Sequence, residues 1–307
     1  MALPTRHKVL ALVPVLALTA LGTACGAGGS GQSSPGGGGG QTQASGSATV
    51  AKSEKLAAMV PADIKSDGKI VVGQDQSYPP NEFVENNTAV GMDIDLGRAI
   101  GQKLGLEVEY QNAAFDGIIA GLAANRYELA ISSFTINAER VQTVDMVSYF
   151  SAGTSMAVLK GNPDKLNIDE LCGKNVAVQK GTVQVEDLDT RNAKCKTDGK
   201  PEITVQQFQN QTDVNLALNS KRTQGMLADS PVVDYAIKQT GDQLEAVGQA
   251  YDTAPYGIAL PKGKGEYAQA VQGAIQELID EGTYVKILEK WGVQRGAVTK
   301  SEVNPAG

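Results

Sequence analysis

From residue 66 to about residue 297, short apolar runs alternate with stretches whose apolar positions recur at helical spacing, which confines the chain to the α/β class. The pattern predicts strands over 69–73, 107–111 and 128–131, and helices over 92–104 and 115–124. An extended run at 155–159 leads to a second series, with strands at 175–178, 203–208 and 225–228 and helices at 183–191, 212–219 and 231–239. Another extended run, 256–260, precedes two helices over 267–291, broken near Glu281 and Gly282. Roughly 230 residues is long for one α/β layer set and fits two lobes, each with its own core. Placing the crossings in the two extended runs gives one lobe of 66–156 plus 259–297, a second of 157–258, and a C-terminal tail of 298–307.

Before this region, Arg6, His7 and Lys8 precede an apolar run from Val9 to Leu21, followed by Gly22, Thr23, Ala24 and then Cys25. Cationic start, apolar middle and small-residue end are the parts of an export signal over 1–24, and the apolar run is short for a membrane span. Cys25 directly after it resembles a bacterial lipoprotein signal and is the expected lipidation site, although Leu21 stands one residue further from the cysteine than usual. Residues 25–65 then read as a tether, dominated up to about Ser47 by Gly, Ser and Gln, with a short helix expected within 51–65. The run Gly26 to Gly31 matches the dinucleotide-binding G-x-G-x-x-G, but it follows a signal instead of a strand and opens no helix, so the match carries no phosphate site.

Lys and Arg number 27 against 34 Asp and Glu, and two of those bases lie in the leader, which argues against a nucleic-acid partner. His7 is the only histidine, so export leaves no Ser-His or Cys-His machinery and no histidine metal ligand. With Cys25 lipidated, Cys172 and Cys195 remain as one pair in an oxidising compartment, and a disulfide is expected. Closing that loop would constrain the unfolded chain by ~3 kcal/mol.

Four polar clusters share one structural address, the C-terminal end of a strand, which is the ligand-binding edge of an open α/β sheet. Asp75 and Tyr78 follow the first strand in G-Q-D-Q-S-Y-P-P-N-E-F, where Pro79 and Pro80 stiffen the backbone beside the tyrosine. The segment I-S-S-F-T-I-N-A-E-R brings Ser132, Ser133 and Thr135 to a helix capped by Asn137, with Arg140 in its first turn, where a cation is disfavoured unless an anion joins it. Gly181, Thr182 and Val183 offer free backbone N–H groups and a capping hydroxyl. Asp229 ends a strand beside Ser230 as the expected N-cap, with Pro231 at the first helical position. An arginine and amide donors for a carboxylate, an aspartate for an ammonium, and the rings of Tyr78 and Phe115 together complement a zwitterionic amino acid. Lys180 and Trp291 read as a solvated lysine and a core residue.

These segments, in this order, resemble the solute-binding lipoproteins of ABC-type importers in the polar amino-acid group, over roughly residues 66 to 293. The resemblance implies a two-lobed periplasmic-binding-protein type II fold with two hinge-crossing strands. It implies that Arg140 takes the ligand carboxylate with Thr135, Thr182 and the Val183 backbone, that Asp229 and Ser133 take the amine, and that Asp75 faces the ligand side chain with Tyr78 and Phe115 stacking about it. Val183 stands where the family often has a hydroxyl residue, and Asn81 where it often has an aromatic. The resulting expectation is a monomeric receptor without cofactor, lipid-anchored to the outer face of the cell membrane, which closes on an amino acid and delivers it to the permease. The alternatives are an amino-acid-type dehydratase on the same scaffold, with Glu82 or Asp75 as its acid, and a ligand-sensing subunit.

Overall fold

The computed structural model describes residues 50–241 and 243–305. The export signal, Cys25 and the Gly-rich stretch lie outside the described residues.

The described chain opens with two short helices, α1 (Glu54–Met59) and α2 (Ala62–Lys65), which seat Leu56, Val60 and Ile64 in the core of the first lobe. The tether therefore ends well before residue 65, because these three apolar side chains recur every four residues and find a surface to bury. Strand β1 (Lys69–Gln74) leads to a small antiparallel sheet of β2 (Ser77–Tyr78), β3 (Glu82–Glu85) and β4 (Thr88–Val90), with a cis Pro79–Pro80 peptide between β2 and β3. Then follow α3 (Met92–Leu104), β5 (Glu107–Asn112), α4 (Phe115–Ala123), β6 (Leu129–Thr135) and α5 (Ala138–Thr143). The long β7 (Val144–Leu159) introduces β8 (Asn175–Gln179), α6 (Val183–Thr197), β9 (Thr204–Phe208), α7 (Gln211–Asn219), β10 (Gly225–Asp229) and α8 (Ser230–Gln239). A second long strand, β11 (Leu244–Pro261), returns to α9 (Tyr267–Asp280) and α10 (Thr283–Trp291), separated at Gly282.

The main sheet has the order β5-β1-β6-β11-β7-β10-β8-β9. Its two ends are parallel: β1 runs with β5 and β6, and β8 runs with β9 and β10. In the centre β7 and β11 run antiparallel to each other, and each continues from one end group into the other. Thr154 to Val158 of β7 already pair with β10, whereas Tyr256 and Gly257 of β11 pair with β6.

Each lobe has apolar layers on both sheet faces. In the first, α3 and α9 bury Leu96, Ile100, Val271 and Ile275 against Val72 and Val147, while Ile118, Leu122 and Phe134 fill the opposite face. In the second, Val214, Leu218 and Val233 lie on one face and Val176, Leu188 and Ile203 on the other. Each such aliphatic side chain removed from water contributes about 2 kcal/mol. Cys172 and Cys195 form the expected disulfide in the latter layer, closing a separation of 23 residues. Residues beyond 297 pack as well. Ser301 is buried with Oγ donating to Ser148 O, and Asn304 exchanges hydrogen bonds with Met146 along the free edge of β7.

Candidate functional site

Asn137 caps α5 as its sequence suggests, accepting from Arg140 N at 2.9 Å, and this one-turn-early start points the arginine back under the end of β6. Its Nη1 donates to Thr135 O at 2.8 Å and its Nη2 to Gly181 O at 3.2 Å, spending two of the five guanidinium donors. The rings of Phe115 and Phe134, stacked 4.9 Å apart, each have their centroid 5.6 Å from the guanidinium carbon. Arg140 is 9 % exposed, and among the described residues no carboxylate pairs with it. Burial lowers its pKa, with Glu186 and then Asp229 acting in the opposite direction. A buried, uncompensated cation is costly and is retained where an anion completes it.

Asp229 is the opposite case. It occupies the cap position of α8 itself, and Ser230, expected there, is the first helical residue. Its carboxylate caps nothing, because Oδ2 accepts from Tyr78 OH at 2.9 Å and Tyr256 OH at 2.7 Å, while Oδ1 accepts from Gln184 Nε2 at 2.7 Å. Among the described residues no lysine or arginine pairs with it, and burial raises its pKa against those three hydrogen bonds.

Both groups line one small pocket between the lobes. Of the expected site residues, Tyr78, Phe115, Ser133, Thr135, Arg140, Thr182, Val183 and Asp229 line it. Thr182 does not cap α6 through its side chain; its hydroxyl donates back to Gln179 O at 2.8 Å. Asp75 and Ser132 sit behind the wall, whereas Gly181 is exposed beside it, its carbonyl accepting from Arg140. Asp75 accepts from Gln179 Nε2 at 2.7 Å, Ser77 N at 3.0 Å and Phe115 N at 3.2 Å. Ser132 Oγ accepts from Asp75 N and donates to Glu82 Oε1, at 3.0 and 2.9 Å. Gly181 has φ +78°, and a Cβ there would come within 2.8 Å of Asp116 Cβ, so glycine serves the close approach of the lobes.

Two glutamines on the wall, Gln179 and Gln184, escape sequence reading, as does Tyr256 behind Asp229. A buried amide in the first turn of α6 carries no local mark that separates it from a surface glutamine, and Tyr256 reads only as part of a crossing strand. Lys180 pairs across the cleft with Asp116 at 2.8 Å and is half exposed, away from the cavity. Trp291 packs edge-on to Phe83 in the first lobe and donates to Asp95 at 2.8 Å.

The lobes therefore touch along a line of polar contacts, Asp75 with Gln179, Asp116 with Lys180 and Gln209, and Ser77 with the amide of Gln211. Two α/β lobes joined by two crossing strands around a polar cavity define a type II periplasmic-binding-protein fold, the architecture of extracytoplasmic solute receptors. The chain belongs to the bacterial extracellular solute-binding proteins, family 3, whose model matches residues 70–294.

Among its relatives is the arginine-binding protein ArgT of Corynebacterium glutamicum, 31 % identical over 252 residues, covering 81 % of this chain and 83 % of that protein. The L-cystine-binding protein TcyJ of Escherichia coli is 29 % identical over 231 residues, covering 74 % and 84 %. An ancestral arginine-binding protein bound to arginine superposes with a TM-score of 0.68 at 36 % identity, covering 73 % of this chain and 98 % of that one. An ancestral amino-acid-binding protein described as a precursor of cyclohexadienyl dehydratase superposes with a TM-score of 0.65 at 31 % identity, covering 75 % and 97 %. Among the described residues, no helix is long and apolar enough to cross a membrane.

Proposed function

We propose that the protein is the substrate-binding lipoprotein of an ABC importer, held at the outer face of the cell membrane through Cys25, and that it captures a polar amino acid between its lobes for delivery to the permease. One observation carries this: among the described residues Arg140 is buried without a carboxylate partner and Asp229 without a basic one, and both line the same pocket. A zwitterion compensates both at once, and charge-assisted pairs of this kind are about twice as strong as neutral hydrogen bonds. Arg140, Thr135, Thr182 and the Val183 N–H take the carboxylate, and Asp229 with Ser133 takes the ammonium. Tyr78 and Phe115 flank the ligand, and Gln179, whose amide is held from behind by Asp75, meets its side chain.

Ligand bridges the two lobes, so closure is a population shift about the β7 and β11 crossings, with residues 50–152 and 256–305 on one side and 154–251 on the other. A dehydratase is disfavoured because neither of its candidate acids, Glu82 or Asp75, lines the pocket: both are buried, Glu82 behind Ser132 and Ser133.

The test is a thermal-shift screen of the mature protein across the twenty amino acids, followed by calorimetry of the hits. A polar amino acid should raise the melting temperature, and Arg140→Ala should weaken its binding by about a hundredfold or more, with circular dichroism unchanged. Unaltered affinity in that variant would remove the hypothesis.

A further inference from the structure

Directly behind the ammonium end of the cavity lies a pair of carboxyls that the proposed function does not use. Glu82, on β3, and Asp93, at the start of α3, are both 0 % exposed, and among the described residues neither pairs with a lysine or arginine. Asp93 Oδ2 is saturated: it accepts from Tyr149 OH at 2.8 Å, Ser133 N at 3.0 Å and Ser133 Oγ at 3.2 Å. Its other oxygen, Oδ1, is buried without any N–H or O–H donor. Glu82 accepts from Ser132 Oγ at 2.9 Å and from Ser133 Oγ at 3.3 Å. Two adjoining carboxylates without a cation are not stable as a doubly charged pair, so one proton between them is the economical state. Burial first, and the charge of Asp93 second, push Glu82 well above the usual carboxylate range, which makes Glu82 the holder of that proton.

Ser133 is where this pair meets the cavity. It is a non-glycine residue at φ +52°, in the left-handed region, which persists only where its surroundings over-determine it. Both its N–H and its hydroxyl are held by Asp93, and Asn81 Nδ2 donates to Oγ at 2.9 Å from the side. With its single proton turned back toward carboxylate, Oγ presents a lone pair to the cavity it lines.

The geometry points to a role for the singly protonated Glu82–Asp93 pair as the positioning element of the amine subsite: it locks Ser133 as an acceptor for the ligand ammonium, and binding weakens when the pair takes up a second proton. This rests on the amino-acid reading above. The other ionisable groups facing the pair are Asp75 after β1, Tyr78 toward Asp229, Tyr110 from β5 and Tyr149 from β7, with no basic group among them. All three tyrosines are pushed to higher pKa by burial and stay neutral through the relevant range, so the pair and the carboxyls of Asp75 and Asp229 are what titrate there.

The experiment is calorimetry of the mature protein with L-arginine, and with L-glutamine as second probe, from pH 7.5 to 5.0, on wild type and on the E82Q/D93N double variant. Wild-type affinity should fall about tenfold or more across that range, whereas the double variant should bind more weakly at pH 7.5 and lose most of the pH dependence. An equal fall in the double variant would assign the titration to Asp75 or Asp229 and overturn the inference, as would a flat wild-type profile. If no amino acid binds even at pH 7.5, the amino-acid reading itself is wrong and the inference falls with it. Should the double variant fail to fold, carboxyl-carbon NMR of the wild type decides. One carboxyl of the pair should be protonated at pH 7, and ligand should move uptake of the second proton to lower pH; two ionised carboxylates, or no movement, overturns it.

Discussion

The hydroxyl of Tyr78 donates to the carboxylate of Asp229 over 2.9 Å and accepts from the Asp229 N–H at 3.2 Å, so a single side chain from the first lobe satisfies both ends of a residue 151 positions away in the second. This contact closes the cleft from inside the cavity, where a ligand ammonium would also meet Asp229. The tyrosine is thus both wall and latch.

Tyr78→Phe keeps the ring and removes the latch. A hydrogen bond to a charged group contributes about 1.5–3 kcal/mol, so ligand affinity should fall about tenfold or more. Without ligand, the lobes should also open more often, which a larger radius of gyration in small-angle scattering would register. An unchanged ligand-free radius would mean that the outer contacts, Asp75 with Gln179 and Asp116 with Lys180, hold the cleft by themselves.

Arg140→Met separates binding from stability. Methionine fills the slot beside Phe115 and Phe134 without a charge to desolvate, and replacing a buried ionic group by an apolar one of similar length is neutral or stabilising by about 1–4 kcal/mol. The ligand-free variant should melt at or above the wild-type temperature while losing amino-acid binding. A fall of several degrees would show that the bonds to Thr135 O and Gly181 O outweigh the burial of the charge.

How far the site was legible follows from the same residues. Asn137, Arg140 and Asp229 announce themselves because a cap followed by a misplaced cation, and a carboxylate at a strand end, are local chemical oddities. The crossing strands are less legible. No strand is expected over 148–154, yet Ser148, Ser151, Gly153 and Thr154 lie inside the sixteen-residue β7, where neighbouring strands and the C-terminal tail satisfy their backbone. Tertiary pairing overrides weak strand propensity here. The same holds for Ser132 to Thr135, beyond the end of the strand expected at 128–131 but within β6. The Glu82–Asp93 pair joins residues from two elements, and nothing in either segment signals that both are buried.

The disulfide should matter to stability and not to binding. Cys172 and Cys195 sit among Leu171, Leu188 and Ile203, in the layer of the second lobe that holds no cavity-lining residue. Replacing both with serine should cost ~3 kcal/mol of stability, lowering the melting temperature by several degrees, and leave affinity within about twofold. Loss of binding at a temperature where the variant is still folded would contradict this separation.

Stability and pH should be related with a sign opposite to that of most proteins over the mildly acidic range. Asp75, Asp93 and Asp229 all have carboxyl pKa values raised in the fold, chiefly by burial, with Asp93 pushed up to about 6. A group of this kind binds its proton more tightly folded than unfolded, so its contribution is present at low pH and is lost as pH rises from the ordinary carboxylate value through the folded one. Asp116 is the counter-case. Lys180 holds it below the usual range, so its contribution is present at neutral pH and is lost only as pH falls below ordinary carboxylate values. Between about pH 7.5 and 5 the raised groups therefore decide the sign. The ligand-free protein should grow more stable by on the order of 2 kcal/mol as pH is lowered across that window, and become less stable again under stronger acid. Melting temperatures at half-unit pH steps check this. A monotonic fall from pH 7.5 downward would mean that these carboxyls are ionised at no cost in the folded state, which their burial without basic partners does not allow.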